Sequence, residues 1–169
     1  IIYKSFVEVE NSYASCAMNH FLALVDLESK HLDKFVHDWS SWDDTYEFVQ
    51  DRTQKYAAIN LTLTTFADQS LNLVHIYDEK SSLVWGKTYR LETEEEIPFD
   101  LSKELTAFVF SKLVEQTNPD AYASGIIQTS LGPMLIASHP ILNSQNMGPS
   151  RGAMVMGRFL TADSIRSLA

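Results

Sequence analysis

From Phe6 to Val36 the chain keeps a three-to-four-residue rhythm through Phe6, Val9, Tyr13, Cys16, His20, Leu24 and Leu27, and no glycine or proline interrupts it. Such a spacing predicts one long amphipathic helix, near-heptad in its repeat. A helix of that kind either docks along a domain or pairs with a copy of itself. The choice between those two fates constrains everything downstream of it.

The segment from Trp39 to Val49 follows directly. At about 100° per residue, Trp39, Trp42, Tyr46 and Val49 fall on one helical face. Asp43 lies at the rim of that aromatic stripe and Asp44 points away from it. Ser40 and Ser41 are N-cap candidates, each followed three residues later by an aspartate suited to the first turn of a helix. A further helix is expected from Asp51 to about Gln69, with Tyr56, Ile59, Leu63 and Phe66 on its buried side.

After Ser70 the period changes from helical to alternating. Leu71–Tyr77 and Leu83–Gly86 read as a hairpin, followed by an acidic loop carrying Glu92 and Glu94 to Glu96, and then by a helix over Leu101–Glu115. That helix should bury Leu105, Phe108, Val109 and Leu113. Gly125–Thr129, Met134–Ile141 and Ala153–Leu160 read as three further strands, and a closing helix begins near Thr161. The fold class is therefore α+β: a long N-terminal helix, then a PAS- or Cache-like five-stranded antiparallel sheet with covering helices. One domain fills 1–169, with a helical segment over 1–70, the sheet over 71–160 and an exit helix over 161–169.

Composition narrows the function. A length of 169 residues suits one domain with a sizeable core. The net charge of −9, with no lysine and arginine cluster, argues against nucleic acid as a partner. Cys16 is the single cysteine, so neither an intrachain disulfide nor a multi-cysteine metal site can form. No apolar run approaches the roughly 20 residues of a membrane span. The chain opens at Ile1 without an initiator methionine and closes inside a helical pattern, which reads as a piece of a larger protein.

The order of short motifs is more specific. Trp42-Asp43-Asp44-Thr45-Tyr46-Glu47-Phe48, a strand ending Val84-Trp85-Gly86, His139-Pro140-Ile141, Gly148-Pro149-Ser150-Arg151-Gly152 and Gly157-Arg158-Phe159-Leu160 succeed one another over nearly the whole chain. This combination resembles the CHASE-type extracellular sensory domains, most of all the fourth CHASE class. The resemblance implies an extracytoplasmic input domain between two membrane helices of a prokaryotic receptor, such as a sensor histidine kinase or diguanylate cyclase. The trimmed ends agree with cuts at two membrane boundaries.

Candidate chemistry is sparse. Neighbouring aspartates on a helix diverge by about 100°, so Asp43 and Asp44 make a poor acid–base pair. Arg158 sits in an otherwise apolar strand and needs a partner. Asp43, as a structural bridge, is the favoured one, and an anionic ligand is the other. His75 and Tyr77 share one sheet face, close to Trp85. In PAS-like sensors the ligand lies between such a face and its cover, here residues 90–125. His139 is on the strand expected beside that of Arg158. The expected ligand-binding set is Trp42, Asp43, Tyr46, His75, Tyr77, Trp85, His139 and Arg158. The five scattered histidines give no metal spacing, the acidic run reads as a solvated loop, and no cofactor is expected.

The expected function is a signal-input domain for a small, polar or anionic ligand, relayed through the terminal helices. The alternative is a ligand-free interaction module that dimerises through the N-terminal helix and transmits the state of a partner or of the membrane. An enzyme using Asp43 with His139 ranks last, because no nucleophile, metal motif or oxyanion loop accompanies them.

Overall fold

The computed structural model describes residues 2–115, 118–161 and 164, with side chains from Tyr13 onward. The side chains of Phe6 and Val9 and the exit helix expected over 161–169 lie outside the described residues. Helix α1 runs over Ile2–Ser40, further than the apolar rhythm suggested. Trp39 and Ser40 thus close α1, and α2 covers Asp43–Asp51 with Trp42 at its N-cap and no side-chain cap bond. The serines do not cap α2: Ser40 Oγ turns back to the His37 carbonyl (3.0 Å). The aromatic stripe survives across the break, because the rings of Trp39 and Trp42 stack with centroids 4.8 Å apart.

The next two helices are each cut in two. Gln54–Asn60 forms α3 and Leu63–Asp68 forms α4, with Thr62 Oγ1 accepting the Thr65 N–H as the cap of α4 (3.2 Å). The cut resets the helical phase, so Tyr56 and Phe66 are buried as expected while Ile59 is exposed and Leu61 takes its place in the core. After the sheet's first hairpin, Leu101–Glu104 forms α5 and Ala107–Val114 forms α6, the latter capped by Thr106 Oγ1 on the Val109 N–H. Leu113 is buried with Val114, whereas Phe108 and Val109 face solvent, against expectation.

The sheet holds six strands in the order β3-β2-β1-β6-β5-β4, all neighbours antiparallel. They are β1 Leu73–Asp78, β2 Leu83–Arg90, β3 Glu95–Glu96, β4 Ala123–Thr129, β5 Gly132–Pro140 and β6 Gly152–Phe159. Five were expected. The extra one is the two-residue β3, formed by the acidic run itself, whose charges pair across to β2 through Lys87–Glu96 (2.7 Å) and Arg90–Glu95 (3.5 Å).

Two cores flank the sheet. On one face Val74, Ile76, Leu135, Ala137, Met154 and Met156 meet Leu32 and Val36 of α1 and Phe48, Tyr56 and Phe66 of the short helices. On the other, Leu73, Tyr77, Met134, Ile136 and Val155 are filled over by Leu101, Leu113 and Val114. Helix α1 docks through Leu32 and Val36. The earlier stripe of Tyr13, Cys16, His20, Leu24 and Leu27 lies roughly opposite them around the helix; Tyr13 is 75% and Leu27 48% exposed. That stripe therefore does not seat the helix on its own sheet.

Candidate functional site

The two most distinctive sequence segments meet each other. Asp43, in the first turn of α2, accepts the Ser144 N–H (2.9 Å) and hydroxyl (2.8 Å), and these bonds hold its carboxyl below the usual range. Tyr46 donates its hydroxyl to the Pro149 carbonyl (3.1 Å). The Arg151 guanidinium lies 3.5 Å over the Tyr46 ring and donates to the Tyr46 carbonyl (2.7 Å). The Trp-Asp-Asp helix and the Gly-Pro loop thus form one clamp that ties α2 to the loop entering β6. Asp43 does not meet Arg158. Its carboxylate is spent on the loop.

Arg158 finds its partner on α1 instead. Its Nη1 donates to Glu28 Oε2 at 2.6 Å and its Nη2 to the Gln69 carbonyl at 3.1 Å. Both charged side chains are largely shielded, at 18% and 17% exposure. The pair lines a cavity of about 500 Å³ that opens to solvent. Its apolar wall comes from Leu91, Leu135, Phe159 and Leu160. The cavity is bounded by α1, by the α4–β1 turn and by the end of β6. Its volume is in the range that small-molecule sites occupy.

A second polar contact holds the other edge of α1. His139, on β5, donates from Nε2 to Asp33 Oδ1 (2.9 Å). Its ring stacks on Tyr122 at 5.7 Å and meets His37 edge-on at 5.2 Å. Glu28 and Asp33 therefore grip β6 and β5 on either side of the apolar seam made by Leu32 and Val36.

His75 and Tyr77 do share a face, as the alternation implied, but it is the face opposite α1. Tyr77 OH and His75 Nδ1 share a hydrogen bond of 3.0 Å, and Phe110 packs edge-on against Tyr77. Gly86 on β2 leaves room for the imidazole, since a Cβ there would stand 2.8 Å from His75 Cδ2. Burial pushes the Tyr77 hydroxyl up and the imidazole down to about 4. His139 is lowered too, by burial first, with Asp33 working the other way. Both rings hold a proton less readily in the folded chain than in the unfolded one. Between the ordinary value of 6.5 and about 4 the unfolded chain binds more protons. The stability that depends on His75 should therefore be complete above that window and fall as the pH drops through it, by up to about 1.4 kcal/mol per pH unit for that one proton. Urea unfolding across this range should show the fall, and His75→Phe should flatten it; an unchanged slope would assign it elsewhere.

Of the eight residues expected together, only Arg158 lines the cavity. Trp42, Asp43 and Tyr46 belong to the clamp, and Trp85 packs near Phe66 in the core under α1. His75 and Tyr77 lie on the far face, and His139 sits at the second contact of α1. Asp43 and His139 have separate partners, Ser144 and Asp33, so no dyad forms between them. Of the residues that make these contacts, Glu28 and Asp33 carry no motif in the sequence. Arg151 alone was signalled, by standing inside the Gly-Pro-Ser-Arg-Gly motif. Among the described residues no cluster of metal-ligating side chains occurs and no helix is long and apolar enough to cross a membrane.

Residues 24–169 match the sequence profile of the CHASE4 domain. The methanogenesis regulatory histidine kinase FilI of Methanothrix harundinacea (strain 6Ac) is 25% identical over 162 residues, covering 96% of this chain and 18% of that protein. Among solved structures, a domain of a sensory box/GGDEF family protein from Vibrio parahaemolyticus superposes with a TM-score of 0.63 at 12% identity, over 89% of this chain and 61% of that one. The E. coli DcuS sensor domain gives 0.57 at 12% identity, over 86% and 97%. The extracellular domain of the histidine kinase vpHK1S-Z8 gives 0.57 at 16%, over 95% and 61%.

Proposed function

Because this chain belongs to the CHASE4 domain family, we propose that it is the extracytoplasmic signal-input domain of a membrane receptor, set between two membrane-spanning helices. In this reading it carries no catalysis of its own, binds a small polar molecule, and relays binding through its terminal helices. The resemblance to a regulatory histidine kinase supports a kinase as the output.

The observation that carries the reading is the cavity at Arg158, bounded by α1 on one side and the end of β6 on the other. A molecule seated there touches both elements that lead toward the chain's ends. It needs only a different affinity for two seatings of α1 to move the equilibrium between them. A thermal-shift screen of the purified chain tests this. A true ligand should raise Tm with concentration as RT ln(1 + [L]/Kd). Gln69→Trp, which keeps the backbone carbonyl used by Arg158 while filling the cavity, should abolish the gain. If ligands stabilise this variant equally well, the cavity is not the site.

Two observations favour the second reading, an interaction module. The Tyr13–Leu27 stripe faces away from the sheet, and the sheet face expected to hold a ligand, with His75 and Tyr77, is filled by its own cover. In this reading two copies pair along α1. Sedimentation equilibrium should then find a dimer that Tyr13→Asp dissociates by at least about tenfold in Kd, roughly 1.4 kcal/mol. A monomer at every concentration would sink it.

A further inference from the structure

We propose that the cavity beside Arg158 takes an organic cation, an ammonium group carried on a compact apolar body. This rests on the reading of that cavity as the ligand site. The lone arginine in β6 suggested an anionic ligand, yet its charge is already answered inside the chain by Glu28 at 2.6 Å, with the Gln69 carbonyl on a second nitrogen. Only Nε is left, buried without an acceptor among the described residues, and an anion brought to it would stand against the Glu28 carboxylate already bound to the same guanidinium.

The charges left over have the opposite sign. Asp68 and Glu92 line the cavity, both are exposed, and among the described residues neither carboxylate has a hydrogen-bond or ion-pair partner. Among the described lining residues three carboxylates stand against one guanidinium, a net of two negative charges. Among the described residues no lysine contributes to the lining. The walls between the two ends are Leu91, Leu135, Phe159 and Leu160, which suit a hydrocarbon body rather than a fully hydrated ion. The pattern asks for an apolar group inside and a positive charge at the mouth. The overall charge of −9 would draw such a ligand in and repel an anion.

Three probes of one shape separate the possibilities: cyclohexylammonium, cyclohexanecarboxylate and cyclohexanol, each titrated at fixed ionic strength into chain with labelled leucine methyls. The ammonium compound should raise Tm and shift the methyl signals of Leu91, Leu135 and Leu160. Its apparent Kd should weaken at least about tenfold in Asp68→Asn/Glu92→Gln, whose two sites are exposed and unpaired in the fold. It should weaken again at high salt. Equal binding of the alcohol, or an unchanged Kd in the double variant, overturns the charge argument. Binding of the carboxylate instead overturns the ligand class while leaving the cavity as the site. If no probe shifts those methyls, the inference falls; Gln69→Trp then still judges the cavity against whatever a wider screen finds.

Discussion

Arg158→Met should cost about 3 kcal/mol of folding stability, and Glu28→Gln distinctly less. The asymmetry follows from what each change leaves behind. Without Arg158, Glu28 keeps a charge at 17% exposure, and among the described residues its remaining ionisable neighbour is the His31 imidazole, 3.6 Å away on the same helix. Without the Glu28 charge, Arg158 still donates to the Gln69 carbonyl. Removing both should recover part of the loss, and the double-mutant cycle isolates the pair from the packing of the arginine stem. For a chain of this size the single change should lower Tm by about 6–12 °C. Arg158→Lys should fall between, since a point charge reaches one of the two acceptors where the guanidinium fork reaches both. Urea unfolding at neutral pH reads all four variants. An effect of Arg158→Met within about 0.5 kcal/mol would show that the pair contributes nothing net.

Gly152→Ala should be more damaging still. Gly152 opens β6 with φ +137°, a backbone conformation that side chains rarely tolerate. A Cβ there would stand 1.9 Å from the Tyr77 carbonyl oxygen and 2.8 Å from the Asp78 backbone. Both obstacles are main chain of the neighbouring strand, so no side chain can turn aside. Gly152 pairs with Asp78 in the sheet and its carbonyl accepts from Ile141 N–H (2.9 Å). Relief would have to part β1 from β6 at the centre of the sheet. The expected loss exceeds about 3 kcal/mol. Gly125→Ala is the control: nothing lies within 4 Å of its Cβ position, so it should shift stability by less than about 1 kcal/mol. Circular dichroism melts of both variants check the contrast. A folded Gly152→Ala with wild-type Tm would refute the clash.

The local patterns were readable because each depends on neighbours in sequence. The alternation in Leu73–Tyr77 and the 3–4 spacing after Tyr13 identified strand and helix correctly. The breaks at Thr62 and Thr106 were also readable in principle, since a threonine ahead of an apolar run is an N-cap signal. Apolar spacing that continues across both threonines hides them. What could not be read was which rim of α1 meets which strand. Arg158 and Glu28 are 130 residues apart, and His139 and Asp33 are 106 apart. Their pairing depends on the angle at which α1 settles on β5 and β6, and no short-range pattern encodes that angle. Asp43 carries the more conspicuous motif, which is why the sequence favours it as the partner of Arg158. The motif belonged to a different contact.

The grip of Glu28 and Asp33 has a mechanical consequence. From Glu28 back to Ile2, α1 is continuous helix, which at 1.5 Å per residue makes an arm of about 39 Å. With its fulcrum at the Arg158 contact, a tilt of about 5° would swing the far end by roughly 3 Å at that rise per residue. A displacement too small to disturb the sheet becomes, at the tip of the lever, comparable to a side chain's width. The gearing lies in the ratio of arm to seat, and shortening the arm by whole turns should scale it down in proportion.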